Sequence, residues 1–135
     1  IVKPYGLKTA GDGRFFVVDV ANKLVHVFCT GNGSYYAFPG RETLLESPID
    51  IAVGKNGNVY VSDSKRAVVK IFRDFGKKYE GEIGVGVLER PTGIAINEIS
   101  NELLVVDTGS SQIIRYDLDG YGISDDASLA VYAPL

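Results

Sequence analysis

Three aspartates raise the first chemical question. Asp19, Asp63 and Asp107 recur at intervals of 44 residues. Carboxylates at a fixed phase suit two tasks. A ring of them can hold calcium or share acid–base work. A carboxylate at the end of a strand can instead accept backbone N–H bonds from the residues that follow. Catalysis rarely needs one copy of a group per unit, so Asp19, Asp63 and Asp107 are expected to cap turns. His26 is the only histidine. Its counterparts in the later units are Lys70 and Ile114. Exchange with lysine predicts a solvent-facing position rather than a ligand. A catalytic zinc needs three protein ligands, usually several of them histidine, and the chain offers no such set. Cys29 stands alone, which excludes an internal disulfide and a cysteine-based metal cluster. It is expected as a small residue within a strand, with a reactive thiol or an intermolecular bridge as alternatives. No catalytic residue, metal ligand or cofactor is assigned.

The strongest charge feature is Lys65, Arg66, Lys70, Arg73, Lys77 and Lys78, which with Asp74 give residues 65–78 a net charge of +5. Phe72, Phe75 and Tyr79 are interleaved. Cations among aromatic rings can hold phosphates and stack bases, so this run is a possible basic recognition surface for RNA. The overall pI near 5.1 weighs against nucleic acid, and a solvated strand surface explains the run as well. Gly31-Asn32-Gly33 and Gly84-Val85-Gly86 open no helix, so they read as turns rather than phosphate loops. Tyr35, Tyr36, Phe38 and Tyr121 suit either a recognition surface or the packing of outer strands.

The elements that carry these residues follow from a repeat. Proline recurs at Pro4, Pro48, Pro91 and Pro134, and each of the first three is followed by similar sequence. An apolar stretch precedes each repeated aspartate, as in Phe15-Phe16-Val17-Val18, and an aromatic residue follows nine positions later: Phe28, Phe72 and Tyr116. Each unit reads as four short strands, in the second unit near 49–53, 58–62, 67–72 and 79–84. Asn56-Gly57 marks a hairpin between the first two. No segment reads as a helix. Glycine is 16 of 135 residues, and Val, Ile, Tyr and Phe are common, which fits an all-β chain. Four-stranded units of about 43 residues in tandem predict a β-propeller segment of three antiparallel blades, over 1–47, 48–90 and 91–135.

The motifs resemble the NHL repeat. That family's pattern is matched by Pro91-Thr92-Gly93-Ile94-Ala95-Ile96, by Gly57-Asn58-Val59-Tyr60-Val61-Ser62-Asp63 and by Val69-Lys70-Ile71-Phe72. The resemblance spans essentially the whole chain. The Asn-His-Arg portion of typical repeats is absent; Asn22-Lys23, Lys65-Arg66 and Ser110-Ser111 stand there. The resemblance implies a closed ring, commonly of six blades, so three blades make an incomplete one. Pro134-Leu135 reads as the start of a fourth unit. The bare faces are expected to be covered by the remaining blades of a longer chain or by a second copy in a homodimer ring.

Charge is uneven: net +1 over 1–47, +2 over 48–90 and −6 over 91–135. The acidic third unit could face a basic neighbour. With no Met and a start in apolar sequence at Ile1, the chain is expected to be processed or excised from a longer one. No run is long and apolar enough for a membrane span, so no membrane insertion is expected. A secreted or extracellular setting is taken slightly ahead of a cytoplasmic one. The expected function is a non-catalytic propeller scaffold that recognises a protein or peptide. The alternatives are a lyase- or hydrolase-like enzyme whose site lies mostly in other blades, and RNA binding through residues 65–78.

Overall fold

The computed structural model describes residues 1–40, 44–118 and 130–134. Twelve strands form three four-stranded antiparallel sheets. The first sheet holds β1 (Pro4–Thr9), β2 (Arg14–Asp19), β3 (Leu24–Cys29) and β4 (Ser34–Phe38). The second holds β5 (Pro48–Val53), β6 (Val59–Asp63), β7 (Val68–Arg73) and β8 (Lys78–Ile83). The third holds β9 (Pro91–Asn97), β10 (Glu102–Asp107), β11 (Gln112–Asp117) and β12 (Ala130–Pro134). Each sheet is a meander in which neighbours in sequence are neighbours in space. Pro134 does not open a fourth unit. It sits in β12 opposite Gln112, so the fourth strand of the third sheet uses it.

One irregularity is repeated in every sheet. Pro4, Pro48 and Pro91 each stand opposite Asp19, Asp63 and Asp107, and the register then shifts before regular pairing resumes. Proline has no N–H to give a ladder, so it is tolerated at a strand's first residue. The shift frees the backbone beside it, where the aspartate carboxylate works. A second repeated feature lies in the β2–β3, β6–β7 and β10–β11 turns. Each ends in a non-glycine residue with left-handed backbone: Lys23, Ala67 and Ser111, with φ of 57°, 56° and 58°.

The sheets stack face to face because their strands alternate. Phe16, Val18, Val25, Val27 and Phe38 of the first sheet meet Ile51, Val59, Val61 and Phe72 of the second. On its other side the second sheet presents Ala52, Tyr60, Val69, Ile71 and Ile83 to Ile94, Leu103, Val105, Ile114 and Tyr116 of the third. A sheet buried on both faces must be apolar on both, which is why β6 is buried along its whole length. Near the inner strands Asp50 joins sheets: its carboxylate accepts the N–H of Ile94 at 3.0 Å. A side chain at Gly6 would lie 2.7 Å from that carboxylate, so glycine is needed for the first sheet to approach.

The outer face of the first sheet has no neighbour among the described residues. Leu7 is 60% exposed and Tyr35 52%, while Ile51, the counterpart of Leu7, is fully buried. Phe15, Phe28 and Tyr35 stack across this face, with ring centroids 4.9 and 5.1 Å apart. Among the described residues no helix is long and apolar enough to cross a membrane.

Candidate functional site

The three aspartates are fully buried. Asp63 accepts the N–H of Glu46 at 2.7 Å, of Ser47 at 3.0 Å and of Arg66 at 3.2 Å. Asp107 accepts from Glu89 and Arg90 and from the Ser110 hydroxyl. Asp19 accepts from Val2, Lys3 and Asn22. Each carboxylate thus ties the chain that enters its sheet to the turn that leaves the second strand. The entering segment, 16 to 18 residues upstream, supplies two backbone donors to each carboxylate. Burial pushes the Asp19 carboxyl up, but the Val2 N–H, His26, and the Lys3 and Asn22 N–H groups outweigh it and hold it well below the usual carboxylate range.

His26 does not face solvent. It is 5% exposed, with Nε2 3.0 Å from Asp19 Oδ2 and Nδ1 2.6 Å from the Tyr35 hydroxyl. Lys70 is buried too: its ammonium pairs with Glu82 and reaches the Tyr79 hydroxyl at 3.4 Å. Exchange between histidine and lysine therefore marks a shared, buried polar position on the third strand. Both side chains are long enough to reach a tyrosine on the fourth strand, and the third sheet simply fills the place with Ile114. The 44-residue spacing of Tyr35 and Tyr79 was the available signal for this pair.

The basic run is divided. Lys65 and Arg66 lie in the β6–β7 turn, at the opposite end of β7 from Lys77 and Lys78. Lys65 pairs with Glu46 at 3.2 Å, Arg66 lies 3.9 Å from Asp63, and Arg73 pairs with Glu80 at 2.9 Å. With Lys70 on Glu82, four of the six cations have a carboxylate partner. Lys77 instead lies 5.2 Å over the Tyr36 ring.

Lys77 and Lys78 border an open cleft of about 930 Å³ between the outer strands of the first and second sheets. Phe38, Phe72 and Leu44 lie along it, flanked by Tyr36 and Tyr79. Tyr36 donates its hydroxyl proton to the Phe75 carbonyl at 2.7 Å, and burial raises its phenol against the pull of Arg14. Tyr35 points to the other face, onto the bare flank, and Tyr121 lies outside the described residues. A smaller polar hollow of about 410 Å³ separates the second and third sheets, beside Asn56, Tyr60, Arg73 and Asn101. Gly33 and Gly84 both have positive φ and close turns after β3 and β8. Cys29 is the last residue of β3, opposite Arg14 and Ser34.

Residues 45–72 match the NHL repeat. No curated protein sequence matches the chain. Among solved structures, one chain of a nidogen–laminin complex superposes with a TM-score of 0.78 at 18% identity, covering 97% of this chain and 48% of that one. Virginiamycin B lyase from Staphylococcus aureus gives 0.70 at 14% identity, covering 96% and 40%. Hydrazine synthase from Kuenenia stuttgartiensis gives 0.72 at 19%, covering 85% and 32%. The chain therefore spans less than half the length of these structures. The match at residues 45–72 is to an NHL repeat, and the three stacked four-stranded sheets that include it have the β-propeller fold.

Proposed function

We propose that the chain serves as a non-catalytic propeller scaffold for protein or peptide recognition, its ring completed by further blades of a longer chain or by a second copy. The observation that carries this reading is the bare flank of the first blade. Its residues occupy the places that are buried in the two interfaces inside the chain: Leu7 matches Ile51, Phe15 matches Val59, and Phe28 matches Phe72. An aromatic sheet face of this kind is stabilised by protein cover, because burying each large apolar side chain is worth about 1.5–3 kcal/mol. The nidogen–laminin likeness supports a protein partner for this type of surface.

The enzyme alternative has one observation behind it, the alignment of Asp19, His26 and Tyr35. The second blade weighs against it, since Lys70 and Tyr79 repeat the link to the tyrosine there with a different residue type. Light scattering on the purified 135-residue chain tests the scaffold reading. Self-association through the bare flank is expected, with a mass of at least twice 14.6 kDa. A stable solitary particle at the chain mass would overturn it.

A further inference from the structure

We infer that the cleft between the first and second blades is a docking groove for an extended acidic peptide segment carrying aromatic or branched apolar side chains. The inference rests on the protein-recognition reading and names the partner's chemistry. The run 65–78 holds six cations, and the four that lie elsewhere already face carboxylates. Lys77 and Lys78, both exposed, are the two at the groove. Among the described residues neither has a carboxylate partner, and an extended chain could place a carboxylate on them while its apolar side chains enter the cleft.

The groove is held in shape by its own strands. Asp74, Phe75 and Gly76 all have positive φ, at 49°, 54° and 102°. A left-handed backbone costs a non-glycine residue about 1–2 kcal/mol, so contacts must hold this turn. The Phe75 N–H bonds Gly57 O at 2.9 Å, and its carbonyl accepts the Tyr36 hydroxyl. Arg14 of the first blade also stacks 3.9 Å over the Phe75 ring. The turn that delivers Lys77 is thereby fastened to the first blade across the groove. A side chain at Gly76 would strike the Phe38 ring at 2.2 Å, so glycine lets the turn sit directly on the groove floor.

Peptide fits better than RNA. Phe38 and Phe72 meet edge to face at 4.9 Å and are almost fully buried, so neither offers a flat ring for a base to stack on. Two lysines at one end suit a short acidic stretch, not a tracked phosphate backbone.

The test is fluorescence anisotropy with a fluorescein-labelled hexapeptide of glutamate alternating with phenylalanine and leucine. The double variant Lys77→Glu/Lys78→Glu should weaken binding by about tenfold or more, from the loss of two charge contacts. The control Lys65→Glu/Arg66→Glu, at the far end of β7, should leave binding unchanged. A glutamine version of the peptide should bind as weakly as the unmodified peptide binds the first variant. Equal loss in both variants, preference for an oligouridine probe, or no peptide binding would overturn the groove. Self-association through the bare flank would survive that last result, so the two readings fail separately.

Discussion

Leu7 and Ile51 hold the same place in successive blades, yet Leu7 is 60% exposed and Ile51 has no exposed surface. One residue shows the face of a blade before it is covered, the other after. The pair gives a direct test of what the stack contributes. Ile51→Asp should unfold the chain or cost more than about 4 kcal/mol, because it buries an unpaired charge. Leu7→Asp should change urea unfolding by less than about 0.5 kcal/mol, as surface changes usually do. It should also abolish self-association in sedimentation velocity. Dimers that persist in the Leu7 variant would place the contact elsewhere.

The Asp63 carboxylate accepts three backbone N–H groups, those of Glu46, Ser47 and Arg66. Asp63→Ala removes this buried acceptor, at an expected cost of about 3 kcal/mol. Asp63→Asn keeps one accepting oxygen and should cost less. Urea midpoints followed by circular dichroism rank the two, and equal values would show that the carboxylate is not what holds the entering segment.

Asp19 links stability to pH. Its carboxyl lies below the ordinary range in the folded chain, so the folded state binds fewer protons than the unfolded one. The stabilisation it provides is full above the ordinary carboxylate value. It fades as pH falls below about 4 toward the lowered folded value. Unfolding midpoints at neutral pH and near pH 3 should therefore converge between the native chain and Asp19→Asn. A gap that stays constant would remove Asp19 as the source.

Lys70 sits where the third blade has Ile114. Replacing a buried ion pair by a packed apolar residue is often neutral or stabilising, and Glu82 is partly open to water. Lys70→Ile should stay within about 1 kcal/mol of the native chain or exceed it. Lys70→Ala, which leaves space among buried neighbours, should lose about 2 kcal/mol or more. Thermal melts separate these outcomes.

Ala67 closes the β6–β7 turn with φ of 56°. Glycine adopts that backbone without the clash of a Cβ, so Ala67→Gly should stabilise the chain by about 0.5–1 kcal/mol, net of the extra freedom glycine has when unfolded. A loss of stability in urea titration would show that the Ala67 methyl contributes more through packing than its backbone costs.

Fold class and the number of strands per unit were legible in the sequence. Alternating apolar residues and the 44-residue phase of Asp19, Asp63 and Asp107 are local and periodic, and strand boundaries in the second unit fall within about one residue of those expected. Where charge ends up emerges only once the strands are packed together. His26 and Lys70 look like surface residues in a string of letters, because burial of a polar side chain depends on a partner from another strand: Tyr35 and Asp19 for one, Glu82 and Tyr79 for the other. The basic run is contiguous along the chain but split in space, since β7 carries its two ends apart and carboxylates from neighbouring strands and turns neutralise four of its cations. Periodicity reports which face a residue occupies. It carries no information about which charges meet across that face, and that pairing leaves Lys77 and Lys78 at the groove.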